Sequence, residues 1–229
     1  MKPELFIFDL DGVLTDTAKY HFLAWKKLAD ELQFDFTIKN NELLKGVSRI
    51  RSFEIILELN DASEKFTEEE KYTLANKKNE YYKEFVETLT KDDILPGVNN
   101  FIMQAKQENI KCAVASISKN AGRILEKLEI AHLFDYIADA SKVVNPKPHP
   151  EIFTVCAEAL NVKPSKCIGF EDAQAGIEAI NSANMMSVGI GVSVTSLEPD
   201  LPLNNTSELD FDKIINFYKN LKNVLTNLN

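Results

Sequence analysis

FIFDLDGVLTDT, residues 6–17, sets two aspartates one residue apart at the point where an apolar run stops. Phe6, Ile7 and Phe8 show no polar alternation, so they read as the end of a strand covered on both faces. Asp9 and Asp11 leave that strand as a pair, and Gly12 opens a turn. Two like charges held so close disfavour one another. A solvated turn, a bound cation or chemistry has to account for them.

Working outward, the same short apolar character recurs at 112–115, 136–138, 167–170 and 186–190. Helical stripes separate these runs. Val98, Phe101, Ile102 and Ala105 make one, and Ala121, Ile124, Leu125 and Leu128 another. Ile152, Val155, Cys156 and Ala159 repeat the spacing, as do Ala173, Ile177 and Ile180, and finally Phe211, Ile214, Ile215 and Tyr218. Strand and helix alternate, which predicts an α/β fold with a doubly wound, mainly parallel Rossmann-like sheet. Residues 16–95 break the alternation. Trp25, Leu28, Ala29 and Leu32 mark one helix, Phe53, Ile56 and Leu57 another, and Thr67 with Glu70 forms a capping box ahead of Leu74, Tyr81 and Phe85. Residues 16–95 therefore read as an inserted α-helical cap, with 1–15 and 96–229 forming the catalytic core. LEPDLPLNNTSELD, residues 197–210, is turn-rich and carries no strand pattern.

Composition limits the partners. The chain has 229 residues, 45% hydrophobic and 27% charged, with a formal net charge of -9. That balance suits a water-soluble domain with a sizeable core. It argues against a nucleic-acid binder or a protein docked on anionic lipid, both of which need a basic face. Cys112, Cys156 and Cys167 all fall in apolar segments, and they read as reduced core thiols of a cytoplasmic protein. Asp9 and Asp11 interrupt the first apolar run too early for a signal peptide. We expect a monomer acting on small molecules.

Ligands of doubly wound sheets bind beyond the carboxyl ends of the strands, so the residues following each run matter most. After the first come Asp9 and Asp11. After the second come Ser116, then Ser118, Lys119 and Asn120 at a helix start. Lys147 follows the third, in NPKP, and Glu171 and Asp172 follow the fourth. Each alone has a plain reading as a turn, a helix cap or a solvated loop residue. An EF-hand loop does not fit, because Gly12 stands fourth from Asp9 and not sixth. Taken together they describe phosphoryl transfer. Asp9, Asp172 and Glu171 offer the hard oxygen donors that Mg²⁺ takes alongside phosphate and water. Ser116 and the amides of 118–120 can hold phosphate oxygens, Lys147 can balance charge developing in transfer, Asp9 can act as nucleophile, and Asp11 as general acid and base.

DLDGVLTDT, ASISKN, NPKP and GFEDAQAGI resemble, in order and across the whole core, the four motifs of the haloacid dehalogenase superfamily. The resemblance implies Asp9 as nucleophile, Asp11 as acid and base, and Ser116 and Lys147 as phosphate-charge stabilisers. It places Mg²⁺ at Asp9, at the Asp11 main-chain carbonyl and at Asp172, with Glu171 adjacent, and suggests a cis Lys147–Pro148 bond.

Phosphatases and mutases share those motifs, so the insertion must distinguish them. Thr17, His21 and Trp25 recur every four residues along one helix stripe. Arg49 has the fork geometry that suits a phosphate. Lys78 falls on the stripe its helix should bury, where either snorkelling or a bound anion would account for it. TDTAKYHFLAWKKLA, LKGVSRIRS and KKNEYY are similar to segments of the superfamily's hexose-phosphate mutases. That likeness implies catalytic support from Thr17 and His21, with His21 orienting Asp11 as the cap closes. It implies that Arg49, Ser118, Lys119 and Asn120 hold the phosphate not being transferred, and that Trp25, Gly46, Val47, Ser52 and Lys78 line the sugar side. Ile117 stands where a small residue is expected, which predicts crowding. The reaction implied interconverts a hexose 1-phosphate and a hexose 6-phosphate, with β-D-glucose 1,6-bisphosphate as intermediate and primer. A sugar-phosphate phosphatase on the same scaffold is the alternative. A binding protein without activity should have lost a catalytic acid, and none is missing. A dinucleotide enzyme is disfavoured, because Gly189-Ile190-Gly191 lacks the third glycine of the fingerprint.

Overall fold

Residues 2–44, 47–191 and 199–227 are described by a computed structural model. The expected strands form β1 (Leu5–Phe8), β2 (Lys111–Val114), β3 (Tyr136–Ile137), β4 (Cys167–Glu171) and β5 (Met186–Ile190), joined by β6 (Leu201–Leu203). All six run parallel in the order β3-β2-β1-β4-β5-β6. This is the doubly wound α/β fold.

β6 lies within the segment read from sequence as a patternless turn. Its Pro202 disguised it, since proline lacks the N–H that a central strand must donate. Here β6 is the sheet edge, Pro202 faces outward, and Leu201 and Leu203 are buried beside Val188 and Ile190 of β5.

By packing, the chain divides into two units, residues 1–16 with 90–229, and residues 17–89. The second unit holds α1 (Ala18–Glu31), α2 (Ile38–Asn41), α3 (Arg49–Glu58) and α4 (Glu68–Val86). Its own core gathers Trp25, Leu28, Phe53, Ile56 and Leu57, with Trp25 stacked on Phe53 at 6.0 Å. The capping box forms, as Thr67 Oγ1 accepts from the Glu70 amide and Glu70 Oε2 from the Thr67 amide. Residues 90–95 lie with the sheet unit, although the pattern had grouped them with the helices. Thr15 bridges Ile94, and its hydroxyl donates to the Asp93 carbonyl at 2.8 Å.

The sheet unit also holds α5 (Val98–Gln107), α6 (Ala121–Lys127), α7 (Glu151–Ala159), α8 (Gln174–Ser182) and α9 (Phe211–Asn227). Alternate side chains of β1 point to opposite faces. Phe6 and Phe8 meet Phe101 of α5 and Phe170 of β4, with Phe8 and Phe170 stacked at 4.6 Å. Leu5 and Ile7 pack on the other side with Ile152, Phe153, Ala179 and Ile180 of α7 and α8. Both faces are covered, and the unbroken apolar run follows from that. From β1 the chain winds out one way through β2 and β3, then the other way through β4 to β6. The reversal falls between β1 and β4, and the crevice at their carboxyl ends is where such sheets place ligands.

Candidate active site

The ladder runs past the end of β1, where the Asp9 amide donates to the Phe170 carbonyl at 2.9 Å. That bond holds the Asp9 side chain at the crevice, 8% exposed. The chain then turns tightly, with the Gly12 amide donating to the Thr15 carbonyl at 2.8 Å and Gly12 at φ 81°. From the next strand, the Ala115 amide bonds the Phe8 carbonyl at 2.8 Å and delivers Ser116, buried, beside the same edge. The Ser116 hydroxyl oxygen accepts from the Ser118 amide at 3.1 Å, and that of Ser118 from the Asn120 amide at 3.2 Å. These bonds set the turn into α6. Lys119 is exposed there. Ile117, between the two serines, is 53% exposed.

Lys147 arrives from the loop after β3 through a cis Lys147–Pro148 bond. Its ammonium donates to Asp9 Oδ1 at 2.5 Å and to Glu171 Oε2 at 2.7 Å. Glu171 ends β4, 2% exposed, and its other oxygen accepts from the amides of Asp172 and Ala173 at 3.3 and 3.2 Å. Carboxylate oxygens of Asp9, Glu171 and Asp172 lie within 4.8 Å of one another. The Asp11 carboxylate is not in this group, and the resemblance brings Asp11 to a metal only through its main-chain carbonyl.

Three acids against one lysine leave the cluster short of positive charge. Burial, and then the charge of Asp9, push Glu171 up to about 8 and Asp172 up to about 6. Burial opposes the Lys147 ammonium as well, yet Asp9 and Glu171 more than offset it and hold Lys147 above the ordinary lysine range. An all-oxygen set of three close carboxylates against one ammonium fits a hard divalent ion such as Mg²⁺.

The helical unit carries a second polar group. Lys78 of α4 is 2% exposed, so it does not snorkel. Its Nζ lies 2.9 Å from Nδ1 of His21 on α1, and 4.7 Å from the centre of the Trp25 ring. With the lysine donating, the imidazole keeps its own proton on Nε2. His21 stacks on Tyr82 at 4.1 Å, and the Tyr82 hydroxyl donates to Thr17 Oγ1 at 3.0 Å. Burial, then the charges of Lys78 and Arg49, lower His21 to about 3, so it is neutral. Burial and Arg49 lower Lys78 to about 7. Arg49 itself donates to Asn76 Oδ1 at 3.3 Å, Ser52 is buried, and Val47 is exposed. Trp25 is 3% exposed within the helical core, beneath the Lys78 ammonium. Gly46 lies outside the described residues.

Residues 3–184 match the haloacid dehalogenase-like hydrolases. The chain belongs to that family. Among its relatives in the family, β-phosphoglucomutase of Bacillus subtilis is 46% identical over 206 residues, covering 90% of this chain and 91% of the relative. A phosphorylated carbohydrates phosphatase of Thermotoga maritima is 33% identical, covering 80% of this chain and 82% of the relative. The crystal structure of β-phosphoglucomutase from Clostridium difficile superposes with a TM-score of 0.88 at 49% identity, covering 96% of this chain and 99% of that one.

In this haloacid dehalogenase-like chain, sequence reasoning missed three residues that shape the cluster. Gly12 and Gly176 lie against Asp172 and Glu171, where an added Cβ would sit 2.2 and 2.0 Å from side-chain atoms. Glu151 braces the loop before Lys147, accepting from the amides of Val144 and Asn145. The glycines were visible in the motifs as quoted, but only as turn and helix residues. No local signal marks Glu151, because its partners are loop amides.

Proposed function

We propose that the chain is a Mg²⁺-dependent β-phosphoglucomutase, interconverting β-D-glucose 1-phosphate and D-glucose 6-phosphate through β-D-glucose 1,6-bisphosphate and an aspartyl-phosphate at Asp9. The observation that carries it is the buried cluster of Asp9, Lys147, Glu171 and Asp172 at the reversal point of the sheet. Mutase over phosphatase is supported by 46% identity to a mutase against 33% to a phosphatase.

Asp9 Oδ attacks phosphorus, and the sugar oxygen leaves with a proton from Asp11. In the reverse half, Asp11 takes the proton from the accepting hydroxyl as phosphate passes from Asp9 to the sugar. Lys147 and the Ser116 hydroxyl stabilise the phosphoryl oxygens while charge builds on them. Mg²⁺ would be held by the carboxylates of Asp9 and Asp172 and by the Asp11 carbonyl, with Glu171 adjacent, and would supply the positive charge that lets an anionic nucleophile approach an anionic phosphate. Recognition of the second phosphate falls to Arg49 and to Ser118, Lys119 and Asn120. The sugar falls to Gly46, Val47, Ser52 and Lys78, with Trp25 as the platform under Lys78. Thr17 and His21 keep Lys78 in place, Thr17 through Tyr82. We further propose a cytoplasmic monomer, consistent with three buried free thiols. No helix among the described residues is long and apolar enough to cross a membrane.

The deciding experiment supplies β-D-glucose 1-phosphate, Mg²⁺ and a trace of the 1,6-bisphosphate. Glucose 6-phosphate is the expected product. Inorganic phosphate as the dominant product would establish the phosphatase reading, which the Thermotoga relative favours.

A further inference from the structure

A Cβ added to Gly176, in the first turn of α8, would fall 2.0 Å from both Cδ and Oε2 of Glu171 and 2.3 Å from its Cγ. No close-packed interior holds carbons at that separation, so any side chain at 176 requires Glu171 to move. A glutamate tip usually yields with ease. This one is confined, because Oε2 accepts from Lys147 at 2.7 Å and Oε1 from the amides of Asp172 and Ala173 at 3.3 and 3.2 Å. Lysine, amides and the bare backbone of α8 close on the carboxylate from separate directions.

The backbone does not ask for glycine at 176. Gly12, Gly97 and Gly191 have positive φ, and Gly176 does not. Within a helix, alanine is the better former. Nor does every helical glycine in this chain serve as a seat, since a Cβ at Gly122 of α6 would meet nothing within 4 Å. Gly12 plays the matching part under Asp172, but its φ of 81° would confound any substitution there. Gly176 is the clean case.

We propose that Gly176 is a positioning residue whose missing side chain seats the Glu171 carboxylate at the divalent-cation site. The proposal rests on reading Asp9, Glu171 and Asp172 as the Mg²⁺ site.

The test is calorimetric titration of Mg²⁺ into the full-length protein and its variants Gly176→Ala, Gly122→Ala, Glu171→Ala and the double variant Gly176→Ala/Glu171→Ala. Gly176→Ala should weaken Mg²⁺ binding by about tenfold or more, the size typical of losing a partner that orients a metal ligand. Gly122→Ala should leave it unchanged. Metal-free Gly176→Ala should keep the wild-type far-ultraviolet circular dichroism and a cooperative melt above the titration temperature, so the loss cannot be assigned to unfolding. Removing Cγ, Cδ and the carboxyl oxygens takes away the nearest atoms the added Cβ would meet, so Gly176→Ala should cause a smaller loss in the Glu171→Ala background than alone. Unchanged Mg²⁺ affinity in Gly176→Ala, or equal losses in both backgrounds, overturns the proposal while the metal site stands. A wild-type protein that takes up no Mg²⁺ overturns the metal reading, and this inference with it.

Discussion

Lys147 reaches two carboxylates at the end of a long, freely rotating side chain, so its aim is no better than the hold on its loop. Glu151 provides much of that hold. Its Oε1 accepts from the Val144 amide at 2.7 Å, and its Oε2 from the backbone and side-chain nitrogens of Asn145 at 2.9 and 2.7 Å. These bonds, the Val144 amide foremost, keep the Glu151 carboxyl below the ordinary range. Replacing Glu151 with Ala should lower kcat by up to about 100-fold with little change in KM, because displacement of a charge-stabilising group by about 1 Å acts on the transition state. Gln, which retains an acceptor, should recover part of the loss. Steady-state kinetics decide it, and equal losses in both variants would assign the effect to charge and not to the loop. At Asp9 the expectation is absolute: Asp9→Asn should form no phosphoenzyme by intact-mass measurement. Full turnover in that variant would remove the aspartyl-phosphate from the mechanism.

Between elements, α1 and α4 are joined by a lysine and a histidine that burial keeps from charging freely. Lys78 drops from 10.5 to about 7, so across that window the unfolded chain binds a proton that the folded chain does not. Stability should therefore rise with pH between those values, by at most about 1.4 kcal/mol per pH unit, and the whole penalty is present below 7. His21, lowered from 6.5 to about 3, acts with the same sign lower down, so stability is lost as pH falls below 6.5. Lys78→Met should flatten the upper slope in denaturant unfolding. A variant profile parallel to the wild type would show that Lys78 does not carry it. Arg49→Ala, if Arg49 serves the second phosphate, should depress mutase turnover far more than hydrolysis of the phosphoenzyme. Equal losses would remove that role.

For the molecule as a whole, the sheet brings its acids together where they repel. In the metal-free protein Glu171 and Asp172 keep protons to about 8 and about 6, above their ordinary values of 4.5 and 3.8. The folded chain thus holds protons that the unfolded chain has released, and stability should fall as pH rises through that range. Mg²⁺ should reverse the trend, adding about 2.7 kcal/mol when present at about 100 times its Kd. Thermal melts in chelator and in Mg²⁺ at several pH values measure both effects. A melting temperature indifferent to Mg²⁺ would mean that the cluster does not bind it.

The amino-acid sequence by itself determined the strands that are buried on both faces, the helices between them and the polar residue types that follow each strand. These are local matters, since the period of apolar residues records how many sides of a segment are covered. It did not reveal β6, where an edge position excuses Pro202, because being at an edge is a relation to other strands. Nor did it reveal that Lys78 is buried against His21 fifty-seven residues away. Only the tertiary structure decided that β1 and β4 are neighbours, and with that, that Asp9, Lys147 and Glu171 touch. It also changed what the opening stretch means. The aspartate pair of FIFDLDGVLTDT divides, with Asp9 joining the acids of β4 while the Asp11 carboxylate stays out of that cluster. Gly12, read first as a turn residue, proves to be the surface on which Asp172 rests, because a missing side chain matters only where something distant comes to fill its place.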